Sequence, residues 1–331
     1  MIPDSFRALR IHQQDGRVQA RLERLSLKDL SPGGVTLRVT HSGINYKDVL
    51  AATGAGKILR RFPLVGGIDL AGVVLASDDA RFQAGDAVMC FGGGLSETLD
   101  GGYSEIARVP AELVQPIPAW LDARSAMAIG TAGFTAALAI DRLEHNGLLP
   151  GQGPVAVTGA GGGVGSLAID MLAARGHDVV AVSGRPELGP WLRTLGASTL
   201  LPRAELLRAT PPLATARWAG AIDNAGGALL HALLAGLRSG GSVASIGLVA
   251  GAELHTTVMP FILRGVNLLG INYFAISEAQ RQRVWQRLGT DLRPRHLERI
   301  VTAELTLDEV PGAFPAYLDG GVRGRQVVRI G

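Results

Sequence analysis

The chain has 331 residues, of which 47% are hydrophobic and 45 are glycine, and its formal net charge at pH 7 is +3. This length suits two domains of ordinary size, and the composition excludes a disordered or fibrous protein. The small charge gives no support for nucleic-acid binding, so we expect a small-molecule substrate and no nucleic-acid or membrane partner. The single cysteine, Cys90, excludes a disulfide framework and a multi-cysteine zinc site, and it is typical of a cytoplasmic protein.

The first part of the chain, residues 1–122, is predicted to form a compact β-rich domain. Short β-type runs such as 34–40 and 70–75 alternate with Gly/Pro turns, and the helical stretches between them, such as 48–52, are short. A longer helical pattern follows at 122–142. Its uncharged stretch is too short to span a bilayer comfortably, which favours a buried helix.

The segment 155–182 has the order strand, glycine-rich turn, helix, strand. The glycines of the turn allow the backbone to bend sharply and to approach a pyrophosphate closely. The helix that follows directs unpaired amides and its positive dipole end at the turn, which favours a phosphate there. This is the context that the dinucleotide-binding fingerprint requires. We therefore expect cofactor contacts from Thr158, Ala160, Gly161, Gly162, Gly163, Val164 and Gly165.

The residues after the second strand of this unit favour NADPH as the cofactor. An acidic residue there would bind the free ribose 2′-hydroxyl of NADH and repel a 2′-phosphate. The chain has Ser183, Gly184 and Arg185 instead. The alternatives are that Arg185 is an ordinary solvated arginine, or that the glycine turn binds no nucleotide.

The rest of the chain alternates helical and strand patterns, which predicts an α/β fold with a doubly wound parallel sheet. Helices are predicted at 188–195, 228–237 and 277–289, and strands at 199–201, 220–223, 242–246 and 261–270. A helix at 307–318 and a strand at 326–330 are expected to return to the first domain. The expected domains are thus a β-rich catalytic domain (1–122), a Rossmann NADPH-binding domain (123–265) and a C-terminal return (266–331) whose last part completes the catalytic domain.

This arrangement resembles the medium-chain dehydrogenase/reductase superfamily, which implies that the β-rich domain is GroES-like. Zinc alcohol dehydrogenases of that superfamily carry a cysteine in the segment aligned with G-I-N-Y-K-D, a G-H-E motif aligned with Gly67–Asp69, and a cluster of four cysteines. This chain has Asn45 where those enzymes have the cysteine and Ile68 where they have the histidine of the G-H-E motif, and it lacks the four-cysteine cluster. Its histidines show no ligand spacing, so we predict that it binds no metal.

Several motifs resemble the acrylyl-CoA reductase subgroup of the zinc-free quinone oxidoreductase branch. They lie at 42–57, 62–74, 157–166 and 182–185, near 195 and at 260. The resemblance implies a homodimer that uses NADPH to reduce the 2,3-double bond of acrylyl-CoA, or of another short enoyl-CoA, giving propanoyl-CoA from acrylyl-CoA. An NADPH:quinone oxidoreductase and a non-catalytic NADPH-binding sensor are the alternatives. Without a metal, hydride transfer to an electron-poor carbon is the chemistry that remains accessible.

Two catalytic candidates follow from this resemblance. Tyr46, in a loop that opens a helix beside the expected nicotinamide position, would orient the substrate or relay a proton, and the alternative is a packing tyrosine. Asn45 holds the position of a lost metal ligand and would hydrogen-bond cofactor or substrate, with a turn-capping role as its alternative. Asp69 is expected to be structural, in an ion pair or in a backbone hydrogen bond, with Lys47 as a candidate partner.

The resemblance also implies cofactor contacts far from the glycine turn. Arg203 matches a position on the 2′-phosphate side, Leu248 and Ile262 match positions along the nicotinamide half, and Tyr273 stands where close relatives often carry a serine. A basic run offers contacts for the phosphates of CoA, although charges in a loop are usually only solvated. That run consists of Lys57, Arg60 and Arg61.

Overall fold

The computed structural model describes residues 2–208 and 211–331. The chain divides into two compact units, one made of the residues up to Thr131 together with Val301–Gly331, and the other of Ala132–Ile300. These divisions differ from the expected domain bounds at 122 and 265. The difference at the second bound has a simple reason: residues after 265 add a strand to the sheet of the second unit.

The first unit begins with a largely antiparallel β-structure. Its elements are β1 (Phe6–Gln14), β2 (Arg17–Leu25), β3 (Val35–Gly43), α1 (Tyr46–Thr53), β4 (Leu64–Val65), β5 (Asp69–Ser77), β6 (Ala87–Phe91), β7 (Ile106–Val109) and β8 (Gln115–Pro116). β3 pairs antiparallel with both β5 and β7. Val35, Leu37 and Val39 alternate along β3 and are almost fully buried, as a strand with one face on the core requires.

The helix α2 (Ala123–His145) follows β8. By length and composition alone it is apolar enough to cross a membrane, but 83% of its most apolar window is buried inside the protein. It is therefore a core helix, as the sequence indicates. Its helical geometry is interrupted at Gly130, which has φ 51° and ψ −163°.

The second unit contains the predicted parallel sheet. Its elements are β9 (Val155–Val157), α3 (Gly163–Ala174), β10 (Val179–Ser183), α4 (Gly189–Thr194), β11 (Thr199–Pro202), α5 (Arg203–Leu206), β12 (Trp218–Asp223), α6 (Gly227–Ala235), β13 (Leu237–Ser245), α7 (Met259–Arg264), β14 (Asn267–Gly270), α8 (Glu278–Gly289) and α9 (Leu297–Ile300). The strand order is β11-β10-β9-β12-β13-β14. The chain reverses its direction of winding between β9 and β12, which is where open parallel sheets bind nucleotides.

The prediction of one strand over 261–270 is wrong for its first half. That half belongs to α7, which has Pro260 in its first turn and Gly265 as a left-handed C-cap with φ 59°. Proline at the start and glycine at the end are the usual helix boundaries. Only Asn267–Gly270 forms the strand β14.

The end of the chain completes the first unit with β15 (Val301–Thr306), α10 (Val310–Leu318) and β16 (Arg325–Arg329). β16 pairs parallel with β15 and antiparallel with β3, so the last strand lies inside the sheet that leads into α1. The C-terminal return predicted from the sequence is therefore present.

Candidate functional site

The glycine turn between β9 and α3 forms a bare backbone cradle. A Cβ atom at Gly165 would lie 2.3 Å from the carbonyl oxygen of Gly159, so no larger residue fits there. The N-cap of α3 is Gly162, which offers no side chain to the first-turn amides. These amides are the groups that bind a phosphate at a helix N-terminus. The predicted contact residues Gly161, Gly163 and Val164 belong to the same turn and the first turn of α3.

Two guanidinium groups lie beside this cradle. A Cβ atom at Gly161 would come within 2.8 Å of Arg185 Nη2, and one at Gly184 would come within 3.7 Å of Arg203 Nε. The Ser183 hydroxyl accepts a hydrogen bond of 3.0 Å from the Arg185 backbone N–H, which shapes the turn after β10. The structure thus brings Arg185 and Arg203 to the sheet end where the adenosine side of a dinucleotide is expected.

The other predicted cofactor contacts of the second unit are more exposed. Leu248 and Ile262 are 62% and 71% exposed, and the backbone of Leu248 lies against Gly226 at the end of β12. Tyr273 is half-buried in the segment after β14. Their contacts with the nicotinamide half stay predictions.

In the first unit, Tyr46 is the first residue of α1 and is half-buried. Among the residues that the structure describes, its hydroxyl has no hydrogen-bond partner. Because a half-buried side chain can have its hydroxyl solvated, this geometry is compatible with both roles. The substrate-side role and the packing role of Tyr46 both stay predictions.

Asn45, the N-cap of α1, is held at both ends of its amide. Its Nδ2 donates to Asp69 Oδ2 at 2.9 Å, and its Oδ1 accepts from Arg325 Nη1 at 3.0 Å. Its backbone N–H donates to Asp48 Oδ2 at 2.8 Å, as in a capping box. Asn45 thus has a positioning role at the start of α1, and a direct contact with cofactor or substrate stays a prediction.

Asp69 is structural, as expected, but Lys47 is not its partner. The buried Asp69 carboxylate accepts hydrogen bonds from the Thr131 backbone N–H at 3.0 Å and from the Thr131 hydroxyl at 2.5 Å. Lys47 instead forms an ion pair with Glu97. The expectation of a Lys47–Asp69 pair is wrong because Lys47 is half-exposed, whereas Asp69 is fully buried.

Sequence reasoning missed two residues of this network, Asp48 and Arg325. Arg325 is 2% exposed and donates to the backbone oxygens of Met127, Ala128 and Ile44 at 3.0 to 3.1 Å. Nothing in the local sequence distinguishes it from the other arginines of the tail.

Asp48 accepts a hydrogen bond of 2.8 Å from the backbone N–H of Ile68, in addition to the bond from Asn45. Burial, together with the nearby Asp69 carboxylate, raises the pKa of Asp48 to about 7. Its position three residues after a helix-capping asparagine is the signal that would have identified it.

This network does not fit a metal ion. The guanidinium of Arg325 contacts Asn45 and lies 3.9 Å from Asp69, and Ile68 supplies no donor. Zinc requires about four Cys, His or carboxylate ligands. The described part of the chain contains no group of three or more His, Cys, Asp or Glu side chains placed to hold a metal.

The basic run after α1 separates into two kinds of residue. Arg61 is engaged in the protein, since it donates to the Ser31 hydroxyl at 2.6 Å and to the Thr98 backbone oxygen at 2.9 Å. Lys57 and Arg60 extend from an exposed segment. Contacts with the phosphates of CoA therefore stay a prediction, and Lys57 and Arg60 are the better candidates for them.

Two protein-family profiles match the chain: the alcohol dehydrogenase GroES-like domain over residues 31–119 and the zinc-binding dehydrogenase over residues 163–289. The chain is 45% identical to the putative quinone oxidoreductase YhfP of Bacillus subtilis over 98% of this chain and 99% of that protein. It is 46% identical to the acrylyl-CoA reductase AcuI of Ruegeria pomeroyi over 96% of each.

Solved structures agree with these relationships. The yhdH oxidoreductase of Salmonella enterica in complex with NADP superposes with a TM-score of 0.95 at 45% identity, covering 98% of this chain and 100% of that one. Bacillus subtilis yhfP with NAD bound gives a TM-score of 0.95 at 45% identity, over 99% and 100% of the two chains. Identity of this size over nearly the whole of both chains means that the protein belongs to the medium-chain dehydrogenase/reductase family of oxidoreductases, in the subgroup that contains AcuI and YhfP.

Proposed function

We propose that the protein is an NADPH-dependent reductase of the 2,3-double bond of acrylyl-CoA or another short enoyl-CoA. The observation that carries this proposal is the pair of guanidinium groups, Arg185 and Arg203, beside the glycine cradle, in a chain that is 46% identical to an acrylyl-CoA reductase.

The choice of NADPH over NADH rests on Ser183–Gly184–Arg185 at the end of β10 and on Arg203 directly after β11. These positions hold two arginines and no carboxylate, which suits a 2′-phosphate because guanidinium groups form charge-assisted hydrogen bonds with it. One similar protein was solved with NADP and another with NAD, so similarity alone does not select the cofactor for this chain. When bound, NADPH supplies the hydride that adds to the β-carbon of the enoyl thioester.

The first unit supplies the polar groups for the substrate. The hydroxyl of Tyr46 is held at the first turn of α1 and orients the thioester or delivers the proton that the α-carbon requires. Asn45 gives one Nδ2 hydrogen to Asp69 and keeps a second one, which is the donor available to cofactor or substrate.

A second candidate is an NADPH:quinone oxidoreductase, since the chain is 45% identical to a putative quinone oxidoreductase. Both substrates accept a hydride at an electron-poor carbon, so the fold alone does not separate them.

A non-catalytic NADPH sensor is the third candidate function. The open hydroxyl of Tyr46 argues against a sensor, which has no use for a substrate-side donor.

One assay separates these functions. NADPH oxidation by the purified protein is followed with acrylyl-CoA, crotonyl-CoA and 1,4-benzoquinone, and NADH serves as the control cofactor. We expect turnover of acrylyl-CoA with a preference for NADPH. Turnover of the quinone alone would overturn the thioester assignment, and tight NADPH binding without any turnover would support the sensor.

We also propose that catalysis is metal-free. The support is the donor set at the position of the zinc ligands, where a guanidinium and an isoleucine stand beside Asn45 and Asp69. Metal analysis of the purified protein and an assay with a chelator test this. Loss of activity with the chelator, and its return with zinc, would contradict it.

A cytoplasmic homodimer is the form that we propose for the enzyme. β14 is the last strand of its sheet, and exposed apolar side chains occur on it and in the segments before and after it in the chain. They include Val258, Leu263, Leu268 and Phe274, which are 38% to 66% exposed. An edge strand with an apolar surround is a surface on which a second copy of the chain can pair its own β14.

A further inference from the structure

Asp223, the last residue of β12, and the three residues after it form an ordered turn at the point where the winding of the sheet reverses. Asp223 Oδ1 accepts a hydrogen bond of 2.6 Å from the Thr158 hydroxyl, and its Oδ2 accepts one of 2.8 Å from the Gly226 backbone N–H. The backbone N–H of Asn224 donates to Thr158 Oγ1 at 2.9 Å. The turn is therefore tied to the strand that leads into the glycine cradle.

The side chain of Asn224 has one end satisfied and one end open. Its Nδ2 donates to the backbone oxygen of Thr158 at 2.8 Å, whereas its Oδ1 is buried and has no hydrogen-bond partner within the described ranges. The orientation of the amide is fixed, because a flipped amide would set its oxygen against the Thr158 carbonyl. Buried acceptors nearly always have a partner in native proteins, so this one points to a ligand.

Glycines from two other segments of the chain pack against Asn224. A Cβ atom at Gly159 would lie 3.1 Å from Asn224 Cβ, and one at Gly247 would lie 2.3 Å from the Asn224 backbone oxygen. Gly226 and Gly227 follow with φ 73° and 56°. These glycines therefore place no side chain of their own against Asn224.

The position of Asn224 decides which part of a dinucleotide it meets. Arg185 and Arg203 mark the adenosine side, at the ends of β10 and β11, and the pyrophosphate cradle follows β9. Asn224 lies on the other side of the cradle, after β12. The half that contains the nicotinamide must therefore lie toward it, and this half carries hydrogen-bond donors in its ribose hydroxyls and its carboxamide.

We propose that Asn224 Oδ1 accepts a hydrogen bond from the nicotinamide nucleoside half of NADPH and so positions that half. Asn224 thus contributes to cofactor binding on the side away from the 2′-phosphate. The inference rests on the proposed use of NADPH. It concerns a positioning contact with the cofactor and involves no proton transfer.

The test compares Asn224→Leu with the wild type by calorimetric binding of NADPH and of 2′,5′-ADP. The second ligand has the adenosine half with its 2′-phosphate but lacks the nicotinamide and its ribose. Loss of one hydrogen bond should weaken NADPH about tenfold, whereas 2′,5′-ADP should bind as in the wild type. Equal weakening of both ligands would mean that Asn224 only holds the loop, and unchanged NADPH binding would also overturn the inference.

Two further variants control for added bulk at position 224 and for the loss of an asparagine elsewhere in the sheet. Asn224→Ala, which adds no bulk, must show the same selective loss. Asn146→Leu is the matched control, because Asn146 donates to Ser242 Oγ at the opposite end of the same sheet and should leave both ligands unaffected. Failure of the wild type to bind NADPH would instead count against the proposed function.

The 3-acetylpyridine analogue of NADP, which lacks the carboxamide N–H, identifies the donor. If Asn224→Leu also binds this analogue more weakly than the wild type does, the contact is with a ribose hydroxyl. If the two proteins bind the analogue equally well, the contact is with the carboxamide. Either result supports the contact with the nicotinamide half.

Discussion

At the scale of single residues, Arg185 is expected to determine the choice of cofactor. Arg185→Ala removes a charge-assisted hydrogen bond worth about 1.5 to 3 kcal/mol, so NADPH binding should weaken by at least tenfold, with little change for NADH. Calorimetric dissociation constants for both cofactors measure this. Arg193→Ala, an exposed arginine on α4, is the matched control. Equal weakening of NADPH and NADH would refute the assignment.

Tyr46→Phe isolates the hydroxyl of the candidate catalytic tyrosine. A positioned acid typically contributes a factor of about 100 or more, so kcat with acrylyl-CoA should fall strongly. The free energy of unfolding should stay the same, because no described residue hydrogen-bonds to this hydroxyl. A normal kcat would remove the proton role, and a destabilised protein with normal kcat would indicate a packing tyrosine.

Asp48 makes stability depend on pH. Burial raises its pKa in the folded protein to about 7, above the ordinary value of 3.8, so the folded state holds a proton that the unfolded state releases. The stability that the folded protein gains from this bound proton is fully present below about pH 4 and is lost as the pH rises through 7. Denaturant unfolding between pH 5 and 8 should therefore show a fall in stability with pH, and this fall should be smaller in Asp48→Asn. An identical slope in the two proteins would contradict the origin in Asp48.

At the scale of elements, the break in α2 at Gly130 can be tested. A Cβ atom there would lie 2.7 Å from Asp69 Oδ2 and 2.8 Å from Arg325 Nη2, in a backbone region that is essentially restricted to glycine. Gly130→Ala should cost about 1 to 3 kcal/mol or more in the free energy of unfolding. Gly312→Ala, in α10 with no atom within 4 Å of the new carbon, should be close to neutral. Similar costs at both positions would show that the contacts around Gly130 are unimportant.

Elements whose signals are local could be predicted from the sequence. The glycine turn, α3 and the strands on either side of it follow from neighbouring residues, and the structure contains them. The helix α7 is harder to predict because its apolar composition resembles that of a buried strand, and only Pro260 and Gly265 at its boundaries mark it as a helix.

The polar network around Asn45 was only partly predictable, for the opposite reason. Its members come from separate parts of the chain, and the bond from Arg325 to Asn45 joins residues 280 positions apart. A single sequence contains no periodic pattern that reports such a contact. The capping position of Asp48 was the one local clue, and Arg325 had none.

At the scale of the whole molecule, the proposed dimer depends on the edge strand β14. Leu268→Lys places a charge on this edge, and charged edge strands resist pairing. We expect the variant to sediment as a monomer at concentrations at which the wild type is a dimer. Leu318→Lys, at a leucine of α10 on the first unit that is 41% exposed, controls for the same change of charge away from this edge. A variant that remains a dimer would exclude β14 as the interface.

The pairing of β16 with β3 has a consequence for the synthesis of the protein. Arg325, which fixes Asn45 at the start of α1, leaves the ribosome after nearly all of the chain has been made. During translation the start of α1 therefore lacks this support until the final strand has been made. A chain that ends before β16 would contain every residue of the dinucleotide cradle but not the arginine that fixes Asn45.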